Sequence, residues 1–215
     1  MSDDNSHSSS GVPPAIRPRK LPNQERSQIT VEALLDALAR ILVDAPETAT
    51  TNAVAALAGV SVGSLYQYFP NIDAIVASLL RRQARAEAAF VLECMAAAKP
   101  RDLRAALEVA IDAAFAFRGQ NPKLQRALLE QLDRIPQFPA LIEEARDAAL
   151  GLGQLLSAFQ SEIKRPDAAL AIHVVCNAAF SLTHRGLFPR PPATDDAAYK
   201  REIVTLLTAY LQSAG

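Results

Sequence analysis

Apolar residues recur three and four positions apart along most of the chain, in segments divided by proline, glycine and capping residues. Val31, Leu34, Leu35, Leu38, Ile41 and Leu42 give a first helix one apolar face; Asn23 can cap its start and Pro46 ends it. Thr51 can cap a short helix through Ala58, with Val54, Leu57 and Ala58 facing inward. Gly59 then supplies a left-handed or tight turn. Ser61 can cap a second short helix, Val62 to Tyr68, which Phe69-Pro70 stops because proline disfavours helix in the residue before it. A long helix from about Ile72 carries Ile75, Val76, Leu79, Leu80, Phe90, Val91 and Cys94, and Pro100 breaks it. Further helices are predicted over Arg101 to Arg118, over Pro122 to Asp133 behind an Asn121 cap, and from the Pro136/Pro139 corner to about Ile163. Pro166-Asp167 opens another, closed by Pro189, Pro191 and Pro192. Thr194 or Asp195 caps the last, which carries Ile203, Val204, Leu207, Tyr210 and Leu211.

Composition agrees with this pattern. Half the residues are hydrophobic, mostly Ala and Leu, and β-branched runs are scarce, so the fold class is all-α. Residues 1–22 are rich in Ser, Asp, Asn and Pro and read as a disordered tail ending in a basic arm of Arg17, Arg19 and Lys20. Residues 23–71 make a small three-helix domain and residues 72–215 a larger helical one. A net charge of −1 excludes a polycation but leaves room for a local basic patch. Cys94 and Cys176 are far apart, which argues against a disulfide framework and for a reducing cytoplasm. The start of the chain has no apolar signal region, and its most apolar stretch, 168–188, is interrupted by His173, Asn177, His184 and Arg185. A cytoplasmic protein with no membrane partner is expected.

The informative segment is Thr50 to Asp73, where two short helices flank the turn Ala58-Gly59-Val60-Ser61. Such a turn sets a second helix across the first, so that the second can enter a DNA major groove. Gly63 and Ser64 are small enough for close backbone approach, while Tyr66, Gln67 and Tyr68 offer hydroxyls and an amide for phosphates and base edges. Leu65 and Phe69 point the other way, into the small core.

The run A-x-x-A-G-V-S-x-G-S-L-Y-x-Y-F-P, Ala55 to Pro70, resembles the DNA-binding signature of the tetracycline-repressor (TetR) family. The resemblance implies a homodimeric regulator of a double-stranded DNA operator, more often a repressor, whose larger domain holds a small-molecule effector. It also implies that the last two long helices form a four-helix bundle between subunits. Thr50 or Thr51 would hold phosphate at a helix start, Val62, Gly63, Ser64 and Gln67 would face bases, Tyr66 and Tyr68 would hold backbone phosphates or edge methyls, and Ser61 belongs to the same DNA-binding set. Arg19 and Lys20 would add contacts from the arm. The family often carries lysine where Val62 and Ile72 stand. From Arg17 to Arg85 eight Lys/Arg meet six Asp/Glu, a surplus of two.

Weaker patterns fall in the larger domain. His173, Asn177, Ser181 and His184 form one polar stripe on a nearly apolar helix and line either a ligand cavity or the dimer seam. His173 and Asn177 are candidate cavity residues, with Phe90, Phe115 and Phe159 as apolar walls and Arg118 and Gln131 as polar anchors. Phe117, Phe138 and Phe180 lie in the same domain, and a pocket lined by these six rings would be mostly apolar. Candidate seam residues are Val174, Val175, Ser181, His184, Ile203, Leu207 and Tyr210. The effector expected is hydrophobic or amphipathic. His173 and Cys176 supply two ligands where zinc needs three or four, so no metal is expected. Gly151 and Gly153 follow no strand, and no Ser/His/Asp or Cys/His set has motif support, so neither a cofactor nor an enzyme activity is expected.

Overall fold

The computed structural model describes residues 25–132, 156–183 and 195–214. Among these residues the regular structure is eight α-helices and two short 3-10 turns, with no strand. The tail, its basic arm (Arg19 and Lys20 included), Asn23, Phe138 and His184 lie outside them. The chain divides into two compact units, the first reaching Leu79 and the second beginning at Leu80.

In the N-terminal unit, α1 (Glu25–Asp44) buries Leu34, Leu35, Leu38, Ile41 and Leu42, the stripe its spacing predicts. A 3-10 turn at Pro46–Thr48 follows, where the Thr48 hydroxyl donates to the Ala45 carbonyl at 2.8 Å. Helix α2 (Thr51–Ala58) is capped by Thr50, not Thr51: the Ala53 N–H donates to Thr50 Oγ1 at 3.2 Å. It buries Val54 and Ala55 only, and Leu57, expected inside, is 44% exposed. Helix α3 (Val62–Tyr68) ends at Phe69, whose backbone is extended ahead of Pro70. The first turns of α4 (Ile72–Ala98) belong to this unit, because Ala74, Ile75, Val76, Ala77 and Leu79 are all buried. The unit therefore runs past the boundary expected at Asn71. Asn71 opens α4 by accepting from the Ala74 N–H at 2.9 Å.

In the larger unit the central element is α5 (Leu103–Gln120), which packs on α7 (Ala168–Thr183) and α8 (Asp196–Gln212). Its buried face is largely alanine (Ala106, Ala110, Ala113, Ala114) with Leu103, Leu107 and Ile111, and small side chains let the helices approach closely. Asp102 caps it, accepting from Ala105 N–H at 2.8 Å, and the Glu162 carboxylate accepts the Leu103 N–H at 3.1 and 3.2 Å. Glu162 sits in the second 3-10 turn, Gln160–Glu162; most of the helix predicted to end near Ile163 lies outside the described residues. Helix α6 (Pro122–Leu132) starts behind Asn121, which accepts the Leu124 N–H at 3.1 Å. Asp167 and Asp195 open α7 and α8 in the same way. The Tyr199 hydroxyl ties α8 to α7 through the Leu182 carbonyl at 3.1 Å. No helix among the described residues is long and apolar enough to cross a membrane.

Candidate DNA-reading surface and ligand cavity

The N-terminal unit presents α3 through a tightly specified corner. Gly59 has φ +70°, a left-handed conformation that side chains disfavour, and its N–H bonds back to α2. Ser61 then caps α3: its hydroxyl accepts the Ser64 N–H at 3.0 Å and lies 2.8 Å from the Ser64 hydroxyl. Leu65 and Phe69 are fully buried, which fixes the outward face of α3. Val62 (37% exposed), Gly63, Tyr66 (40%) and Gln67 make up that face, with Ser64 half-buried beside them. A Cβ on Gly63 would meet nothing nearer than Ser61 Oγ at 3.9 Å, so no packing within the protein demands glycine there.

Thr50 and Thr51 stand at the start of α2, where unpaired N–H groups and the helix dipole favour an anion. The Thr51 hydroxyl lies 3.2 Å from the Tyr66 hydroxyl, so α2 and α3 bring two hydroxyls to one point. Tyr68 differs from its expected role. Its ring is 8% exposed and its hydroxyl donates to Ser27 Oγ of α1 at 3.3 Å, so it braces the three-helix core and does not face outward.

The larger unit contains a cavity of about 90 Å³. Among the described residues, helix α4 lines it with Ala84, Glu87, Ala88 and Val91; α5 with Leu107, Ala110, Ile111, Ala114 and Arg118; α7 with Val175, Cys176, Ala179, Phe180 and Thr183; Leu156 adds to the wall. That volume far exceeds the room one buried water needs. Among the described lining residues most are apolar and the charged ones are Arg118 and Glu87, the Arg118 guanidinium donating to the Glu87 carboxylate. Both side chains are largely buried, at 9% and 18% exposure. Burial pushes the Glu87 carboxyl above its usual range, with Arg118 pulling against that shift. Burial also pushes the Cys176 thiol up to about 11, which keeps it neutral. The Thr183 hydroxyl donates into its own helix, to the Ala179 carbonyl at 2.7 Å.

Of the expected cavity residues, Arg118 and Phe180 line this space. Phe90 pairs with Phe117 (centroids 5.9 Å apart) and Phe115 with Tyr199 (6.4 Å), so these rings are spent on packing helices together. Phe159 packs against the core, Gln131 is half-buried on α6, His173 is exposed and Asn177 half-buried; none is a lining residue. Glu87 escaped notice in the sequence, although a lone acid among Ala84, Ala88 and Val91 is a legible signal. Among the expected seam residues, Val175 (1% exposed), Ile203 (2%) and Leu207 (2%) are closed into the protomer's own core and have no surface left for a partner. Tyr210 is half-buried beneath Arg165, 4.8 Å from its ring. Val174 and Ser181 are exposed. The large apolar residues these helices leave outside are Leu170, Val174 and Leu206. No cluster of three or more potential metal ligands occurs among the described residues.

The family model for bacterial regulatory proteins of the tetR family matches residues 34–79, and the model for the tetracyclin repressor-like C-terminal domain matches residues 102–211. No curated protein matches the chain. A TetR-family transcriptional regulator from Streptomyces coelicolor is 26% identical over 85% of this chain and 97% of its own, with a TM-score of 0.59. A transcriptional regulator from Rhodococcus sp. Rha1 (21% identity, 85% and 96% covered, TM-score 0.61) shares the fold. So does the multidrug binding protein EbrR, solved with imidazole (19% identity, 90% and 98% covered, TM-score 0.63). With a helix-turn-helix under one family model and more than half its length under the other, the chain belongs to the TetR family of bacterial DNA-binding transcription regulators.

Proposed function

We propose that the protein is a homodimeric transcriptional repressor that leaves its operator when a small amphipathic effector fills the cavity beside α5. The observation that carries the reading is the cap–turn–cap corner Thr50, Gly59, Ser61, which holds out Val62, Gly63, Tyr66 and Gln67 with Leu65 and Phe69 locked behind them. A helix so presented suits the major groove, and Gln67 suits an adenine edge. Thr50, Thr51 and Tyr66 suit a phosphate next to it. Helix α4 supplies both buried turns of the reading unit and one cavity wall, so a ligand that prefers one position of α4 would bias DNA binding. EbrR, a multidrug binding protein of this fold, makes an effector-holding cavity a reasonable expectation here. The exposed Leu170, Val174 and Leu206 on α7 and α8 favour those helices as the seam between two copies.

A second reading, a dimeric effector-binding protein with weak DNA affinity, is favoured by charge. Between residues 25 and 79 only Arg26 and Arg40 oppose six Asp/Glu. Fluorescence anisotropy against the DNA upstream of the protein's own gene, with a scrambled control and a salt series, separates the two. Salt-sensitive binding to the upstream DNA alone supports the repressor. Equal, weak binding to both DNAs supports the second reading.

A further inference from the structure

The outward face of α3 is chemically selective. Leu65 and Tyr68 are buried and the Ser64 hydroxyl is turned to Ser61, so α3 holds out Val62, Gly63, Tyr66 and Gln67. Tyr66 leans toward the start of α2, where its hydroxyl lies 3.2 Å from that of Thr51. Val62, Gly63 and Gln67 are left for base edges. In the major groove guanine is read by arginine or lysine, cytosine by a carboxylate, adenine by asparagine or glutamine, and thymine by apolar contact with its methyl. Val62 to Tyr68 contains no Lys, Arg, Asp or Glu. The Gln67 amide offers a donor and an acceptor side by side, the complement of adenine N7 and its N6 amino group. The exposed Val62 methyls gain apolar burial against a thymine methyl. Against the amino group of cytosine or adenine they would leave a donor without a partner, which is costly. Gly63, with no side chain, holds neither neighbour away from the bases.

We propose that α3 reads two A·T pairs in each operator half-site, with a thymine methyl against Val62 and an adenine edge against Gln67. This rests on reading α3 as the DNA-reading helix and is independent of any effector. Five residues separate the two side chains, about 7.5 Å along the helix axis. Base pairs stack about 3.4 Å apart, so the two A·T pairs lie about two steps from each other.

Selection of bound duplexes from a random-core library by the full-length protein, followed by fluorescence anisotropy on the selected site, tests this. Each half-site is expected to carry two A·T pairs about two steps apart, and G·C at either should weaken binding about tenfold. A minor-groove contact from the basic arm also favours A·T, so two base analogues that alter the major-groove edge alone are decisive. Uracil in place of thymine removes the methyl; it should weaken wild-type binding and leave Val62→Ser indifferent. In place of adenine, 7-deazaadenine removes the N7 acceptor; it should weaken wild-type binding and leave Gln67→Ala indifferent. Gln67→Arg should move the preference at its own pair alone from A·T to G·C. Wild-type binding that ignores either analogue overturns the proposal. So does a selected site whose Q67R- or V62S-sensitive pairs are G·C. Val62 and Gln67 are exposed, so these variants should keep the fold, and the wild-type analogue series decides without them. Enrichment of a site read at G·C pairs would sink this inference and leave the repressor reading standing. Failure to enrich any sequence would sink both.

Discussion

Gly59 and Lys99 both occupy left-handed backbone, at φ +70° and +48°, and only the first is a glycine. The left-handed region costs an L side chain about 1 kcal/mol. Gly59→Ala should therefore lose roughly that much stability in urea unfolding, and Lys99→Gly, just past the end of α4, should gain up to about as much. Equal stability in both variants would show that these backbones relax. Gly63 poses a different question. It lies within α3, its Cβ position is open, and alanine is favoured over glycine in helices by about 1 kcal/mol. Gly63→Ala should thus hold or raise the melting temperature while weakening operator binding, if a base edge or phosphate approaches that backbone. An unchanged affinity would move the contact elsewhere on α3. At this scale the sequence was legible where a residue type has one local use. Gly59 and Ser61 read correctly, whereas Thr50 and Thr51, two equivalent capping residues in succession, could only be separated by the backbone itself. Tyr68 misled because a tyrosine can put its ring inside and find a partner such as Ser27 for its hydroxyl.

Among whole elements, periodicity located each described helix to within a few residues, because one apolar stripe per helix is what burial requires. It could not say what covers a stripe. Val174 and Val175 are adjacent and chemically identical, yet one is 40% exposed and the other 1%. Leu206 and Leu207 are split in the same way, at 57% and 2%. Glutamate at Leu170 or Leu206 should keep the helical signal and melting behaviour but shift the protein from dimer to monomer in sedimentation velocity. Glutamate at Val175 or Leu207 should instead destabilise the protomer by several kcal/mol, as burial of an unpaired charge does. If L170E and L206E both remain dimeric, the seam lies on other surfaces. The same limit governed the cavity: Phe90 and Phe115, read as ligand walls, serve as helix-to-helix packing, while the ion pair at its wall comes from Glu87 and Arg118, two charges on otherwise apolar faces of α4 and α5.

Over the whole molecule, charge decides how such a protein could hold DNA. The reading unit is acidic on balance, and α3 has no basic side chain; where relatives often carry lysine this chain has Val62 and Ile72. Favourable contacts with phosphate must then come from helix starts and hydroxyls such as Thr50, Thr51 and Tyr66, which release no counterion, and from the arm of Arg17, Arg19 and Lys20. Since each neutralised phosphate contributes about −0.9 to the slope of log affinity against log salt, operator binding should have a shallow slope for a dimer. Removing residues 1–22 should flatten it further, by as much as about 3 per protomer, with little change in melting temperature. Val62→Lys should steepen it by about 1 per protomer and tighten binding most at low salt. A steep slope that survives loss of the arm would show that basic residues outside the reading unit, Arg81, Arg82 and Arg85 of α4 foremost, carry the phosphates instead.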